Sequence, residues 1–160
     1  MDSDCNIVFL LSGDILNLKE RIERLKKSNK IVFVHLDMIG GISNSPVIIE
    51  YLKKEFNIDG IITTKISLVK KALEANIYVV QRLFLLDSIS VENSIDNLKK
   101  IKPNAIEVMP GVITKIVKKL HQEFPQLPII CGGLIDEKEE IIDVLKNGAM
   151  AVSTTKIDLW

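Results

Sequence analysis

Two phrases decide the fold: Pro128-Ile129-Ile130-Cys131-Gly132-Gly133-Leu134 and Asn147-Gly148-Ala149-Met150-Ala151-Val152-Ser153-Thr154-Thr155. Each is a short apolar run that stops at residues suited to holding an anion. Gly132 and Gly133 carry no Cβ, so their backbone N–H groups can approach an oxygen closely. Ser153 and Thr154 add hydroxyl donors. One helix separates the two phrases. This predicts consecutive parallel strands ending at a phosphate site, the arrangement found after the last two strands of many (β/α)8 barrels.

The same alternation runs back toward the N-terminus. Strand-like apolar runs occur at 7–11, 31–36, 60–63, 77–83, 105–108, 128–131 and 149–153. Amphipathic stretches at 16–28, 46–56, 66–75, 91–100, 112–124 and 137–147 fill the gaps. Apolar residues recur there at helical spacing, as in Ile113, Ile116, Val117 and Leu120. Pro46 behind Ser45 suits a first helical position. Asn76 and Gly148 suit left-handed helix ends. Strict alternation predicts a parallel sheet with crossover helices. A closed barrel of this type needs eight strands, so the choice lies between a doubly wound open sheet and a barrel lacking one unit. A dinucleotide-binding open sheet is marked by an early Gly-x-Gly-x-x-Gly loop, and the sequence has none. The compact, even spacing favours a TIM-barrel-like (β/α) barrel of seven parallel strands.

Size and composition narrow the function. The 160 residues read as one domain spanning 1–160, and 47% hydrophobic content supplies a substantial core. No apolar run approaches the roughly 18 residues of a membrane span. The acidic start, Met1-Asp2-Ser3-Asp4, does not read as a signal peptide. Cys5 and Cys131 fit no metal spacing and lie in or beside apolar strands, as reduced thiols of a cytoplasmic protein would. The formal net charge of zero gives no global attraction to nucleic acid or membrane. No metal or cofactor is expected.

Polar residues cluster at strand ends, where barrel ligand sites gather. In 31–37, Val32, Val34 and Leu36 form one face and Phe33, His35 and Asp37 the other, which places Asp37 at the mouth. The alternative is that Asp37 caps a turn and His35 is a core histidine. The run Ile61-Ile62-Thr63-Thr64-Lys65 ends on two hydroxyls and an amine. Arg82 is the only arginine in a strand, and an arginine is costly to bury unpaired. It therefore predicts an acidic partner, either a ligand phosphate or Glu107. Asp87-Ser88 reads as a loop turn or a helix cap. Asp37, Asp87 and Glu107 could bind a divalent ion or do acid–base work, but carboxylates at loop ends are common in any barrel and no nucleophile–base set is signalled. The residues suit holding a small phosphorylated, hydroxylated molecule better than breaking it.

Several phrases together carry a resemblance. They are Phe33-Val34-His35-Leu36-Asp37, Asp59-Gly60-Ile61-Ile62-Thr63-Thr64-Lys65, Gln81-Arg82-Leu83-Phe84-Leu85-Leu86-Asp87-Ser88, Ile106-Glu107-Val108-Met109-Pro110-Gly111, Cys131-Gly132-Gly133-Leu134-Ile135, Ala151-Val152-Ser153-Thr154 and Leu159-Trp160. In order along nearly the whole chain, they resemble the glycerol-3-phosphate-responsive antiterminator family. The resemblance implies a regulator that takes glycerol-3-phosphate as effector and acts on the leader mRNA of glycerol-catabolism operons. By position it implies that Gly132, Gly133, Ser153 and Thr154 hold the phosphate. Asp37, Lys65, Arg82, Asp87, Glu107 and Gly111 would line the rim near the glycerol hydroxyls. It also implies a first strand and helix ahead of 7–11 that this chain lacks. The edges at 7–11 and 149–153 would then need cover, so a homo-oligomer is one expectation.

The residues themselves give RNA modest support. Aromatics are 5% of the chain, too few for a broad stacking platform. Lysine pairs at 26–27, 53–54, 70–71, 99–100 and 118–119 suit phosphate contacts, and equally suit helix C-termini facing solvent. Two competing readings stand beside the regulator. One is a TIM-barrel enzyme acting on a small phosphorylated metabolite, with Glu107 or Asp37 as base and Lys65 as electrophile. The other is a module whose ligand gates contact with another protein.

Overall fold

The computed structural model describes residues 4–160. The Met1-Asp2-Ser3 start of the acidic phrase lies outside the described residues. Among the described residues, seven parallel strands alternate with six α-helices, TIM-barrel-like, and their sheet order is the sequence order. The chain divides into two compact units, Met1–Gln81 and Arg82–Trp160.

The first unit holds β1 (Ile7–Leu10), α1 (Leu18–Lys27), β2 (Ile31–His35), α2 (Val47–Glu55), β3 (Gly60–Thr63), α3 (Ile66–Glu74) and the start of β4 (Tyr78–Phe84). The ladders are parallel, pairing Ile7 with Ile31, Phe33 with Gly60 and Gly60 with Tyr78. Every residue of β3 is buried, as expected for a parallel strand covered on both faces. Leu52, Leu68 and Val69 from the helices pack into the core with Val32, Val34 and Ile61 from the strands. Asn29 at φ 55° and Asn76 at φ 53° turn the chain just beyond α1 and α3. The expected role of Asn76 is thus met, and Asn29 plays it too.

β2 departs from expectation. The strand ends at His35, and Leu36–Met38 form a 3-10 turn, so Asp37 leaves a turn rather than a strand. Alternation along 31–37 therefore does not fix where Asp37 points.

The second unit completes β4 and adds α4 (Ser88–Lys100), β5 (Ala105–Met109), α5 (Thr114–Glu123), β6 (Ile129–Gly132), α6 (Lys138–Lys146) and β7 (Ala151–Ser153), followed by a 3-10 turn at Ile157–Leu159. β5 pairs with β6 through Ile106–Ile129 and Val108–Cys131, and β6 with β7 through Ile130–Ala151 and Gly132–Ser153. Ile106, Val108 and Ile129 meet Val117, Leu120 and Val144 in one buried cluster. Helix α4 starts three residues earlier than its apolar periodicity suggests, because Asp87 caps it. Asp87 Oδ1 accepts the Ser90 N–H at 2.7 Å, and Ser90 Oγ accepts the Asp87 N–H at 3.1 Å.

Candidate functional site

The register of β6 and β7 places Gly132 beside Ser153. The two anion-suited phrases therefore end side by side, one strand apart. Past Gly132 the backbone turns left-handed twice in succession, at Gly133 (φ 73°) and Leu134 (φ 57°). Gly133 adopts this freely, but Leu134 stores strain of order 1–3 kcal/mol, the kind that gathers at ligand-holding loops. Successive amides in such turns form concavities that suit anions. Among the described residues, no group pairs with the Gly133 or Leu134 N–H or with the Ser153 hydroxyl. The carbonyls of this loop are engaged. Gly111 N–H donates to Gly132 O at 2.6 Å and Gly133 O at 3.2 Å. Thr154 Oγ1 donates to Ile135 O at 3.4 Å and accepts the Lys156 N–H at 3.1 Å. Donors are thus on offer at Gly133, Leu134 and Ser153, whereas the hydroxyl of Thr154 and the N–H of Gly111 serve the loop itself.

Beneath this loop lies a buried ion pair. Arg82 Nε donates to Glu107 Oε2 at 2.6 Å, with the two side chains 7% and 1% exposed. Of the two partners foreseen for Arg82, Glu107 is one that the fold supplies. The Glu107 carboxylate also abuts β6: a Cβ on Gly132 would sit 2.8 Å from Oε1. Gly132 is therefore glycine for steric reasons as well as for backbone access. Cys131, next to it, is fully buried, and burial with the nearby Glu107 charge pushes its thiol up to about 12. It is inert at neutral pH.

In the first unit, Asp37 organises the loop after β3. Its Oδ1 accepts the Thr63 hydroxyl at 3.0 Å, and its Oδ2 accepts the Thr64 N–H at 2.7 Å and the Thr64 hydroxyl at 2.9 Å. Lys65 Nζ stands 3.6 Å from Oδ1 and also hydrogen-bonds Asn44 Oδ1. Burial pushes the Asp37 carboxyl up, but the hydrogen bonds from Thr64 and Thr63 and the His35 charge outweigh it, so it lies below its ordinary value. His35 is buried at the end of β2. Asp87 is exposed, and its carboxylate serves the α4 cap, whose hydrogen bonds from Ser90 hold it below the ordinary value.

In four of the five lysine pairs one member is held within the protein. Lys26 meets Asp59 at 2.6 Å, Lys71 meets Glu50 at 2.9 Å, and Lys99 meets Glu123 at 2.9 Å, while Lys53 Nζ donates to Ala75 O at 2.5 Å. Among the described residues, no group of three or more His, Cys, Asp or Glu could hold a metal ion, and no helix is long and apolar enough to cross a membrane.

Sequential parallel βα units ending in a glycine turn paired with a hydroxyl-bearing strand end define a TIM-barrel-like protein. The chain belongs to the glycerol-3-phosphate responsive antiterminator family, whose sequence pattern matches residues 1–160. It is 34% identical over 160 residues to the uncharacterized protein YgcP of Escherichia coli (strain K12), covering 100% of this chain and 83% of that protein. Among solved structures it is similar to the glycerol uptake operon antiterminator regulatory protein from Listeria monocytogenes, with a TM-score of 0.95, 32% identity and coverage of 99% of this chain and 85% of that one. A glycerol uptake operon antiterminator-related protein from Thermotoga maritima gives a TM-score of 0.90 at 36% identity, covering 100% and 92%. Orotidine 5'-phosphate decarboxylase from Pyrococcus horikoshii shares the fold alone, with a TM-score of 0.69 at 14% identity over 92% of this chain and 76% of that one.

Proposed function

We propose that this chain is a non-enzymatic, cytoplasmic regulator that binds glycerol-3-phosphate and, with it, leader mRNA of glycerol-use operons, suppressing premature termination. The phosphate would sit against the Gly133 and Leu134 amides and the Ser153 hydroxyl. Glu107, fixed by Arg82, would support the turn at Gly132 from beneath. The observation that carries the reading is the Gly132–Ser153 register, with two left-handed residues directly after it. Backbone amides held in this way bind an anion without supplying any group that attacks it.

Family membership supports the effector and the regulatory role. The lysine pairs offer RNA less than their number suggests, since four of the five have one member bound within the protein. If effector and RNA are linked, each raises the affinity for the other by the same factor. Titrating glycerol-3-phosphate with and without leader RNA tests this. Tighter ligand binding in the presence of RNA is expected, and equal affinities would overturn the antiterminator mechanism.

A further inference from the structure

β7 is only three residues long, so its ladder to β6 does little to fix the chain beyond Ser153. Residues 154–160 supply the missing restraint. Lys156 Nζ donates to Asp136 O at 2.9 Å and stands 3.3 Å from Asp136 Oδ1. The Lys156 N–H meets Thr154 Oγ1, and Trp160 Nε1 donates to Thr154 O at 2.9 Å. From the other side, Glu140 Oε2 takes the N–H groups of Asp136 at 2.8 Å and Glu137 at 3.0 Å. The loop after β7 is thus fastened to the loop after β6 by Lys156 and by Thr154, whose hydroxyl donates to Ile135 O, while Trp160 braces Thr154 within its own segment.

We propose that Lys156 and Trp160 are positioning residues, Lys156 latching the loop after β7 to the loop after β6 and Trp160 bracing Thr154 within the latched segment, so that the phosphate-binding donors are held in place before ligand arrives. This rests on Gly133, Leu134 and Ser153 forming the phosphate site of the proposed function. The Lys156–Asp136 ion pair is half exposed, so its charge adds little. Its contribution is geometric: it keeps the end of β7 beside the loop after β6. A preorganised site gains affinity because the ordering cost is met on folding rather than on binding. The latch also makes Trp160, the only tryptophan in the chain, a reporter of the site through its bond to Thr154.

The test uses the full chain, with inorganic phosphate and glycerol-3-phosphate as probes, followed by calorimetry in every variant and by Trp160 emission in those that keep Trp160. Wild type is expected to bind both, with a change in emission. Lys156→Met and Trp160→Phe should each weaken both ligands by the same factor, on the order of tenfold, as outer partners of a binding site do. Lys156→Arg should restore affinity, since a guanidinium can reach the same carbonyl. All variants should keep the wild-type melting temperature, because both side chains are exposed. Unchanged affinity in both weakened variants overturns the latch and leaves the proposed function standing. A wild-type chain that binds neither ligand overturns both. A loss that Lys156→Arg does not restore overturns the latch as well.

Discussion

Glu107 Oε1 occupies the space that a side chain on Gly132 would need, 2.8 Å from its Cβ position, while Glu107 Oε2 holds Arg82. The ion pair therefore sets the identity of the first glycine of the loop. Gly132→Ala must push Glu107 off Arg82 or shift β6, and should cost about 1–3 kcal/mol of stability. In a Glu107→Ala background the same change should cost distinctly less. A double-mutant cycle by urea unfolding reads the coupling, and additive losses would show that the two side chains do not compete.

Asp37 governs a pH dependence of stability. Its carboxyl lies below its ordinary value in the folded chain, so its ionised form is favoured by folding. The stability it contributes is present above the unfolded-state value and is lost as pH falls through the folded one. Asp37→Asn should therefore be less stable than wild type at neutral pH, and the two should converge at the acid end. Urea midpoints measured from neutral pH down to the acid range check this, and a constant gap at every pH would contradict it.

The two thiols should behave differently. Cys131 is fully buried with its thiol pushed up to about 12, whereas Cys5 is half-buried near the start of β1. Native protein with a thiol reagent at neutral pH should label Cys5 alone, and denaturant should release Cys131. Peptide mapping after labelling identifies the site. Rapid labelling of Cys131 in the native chain would contradict the packing of β6.

The sequence announced the βα alternation because each strand is a short apolar run and each helix keeps its own periodicity. Boundaries moved where a cap or turn outranked periodicity, as Asp87 did for α4 and Leu36–Met38 for β2. The pairing of Gly132 with Ser153 was legible from their equivalent places at two strand ends. The partnership of Arg82 with Glu107 was legible because a lone strand arginine needs an acid. Other features left no composition signal. Leucine does not advertise a left-handed conformation, so Leu134 could not be foreseen. The steric claim of Glu107 on Gly132 depends on a cross-strand approach. The bonds from Thr154 to Ile135 and from Lys156 to Asp136 link loops 19 and 20 positions apart in the chain. The commitment of Asp37 to Thr63 and Thr64 likewise depends on where the 3-10 turn falls.

Calorimetric titration of glycerol-3-phosphate into wild type and Ser153→Asp tests the central claim most directly. An added carboxylate at Ser153 would repel a phosphate held by the neighbouring Gly133 and Leu134 amides. The account predicts measurable binding to wild type, loss of that binding in the variant, and matching far-UV spectra for the two. Equal affinities in two folded proteins would contradict it.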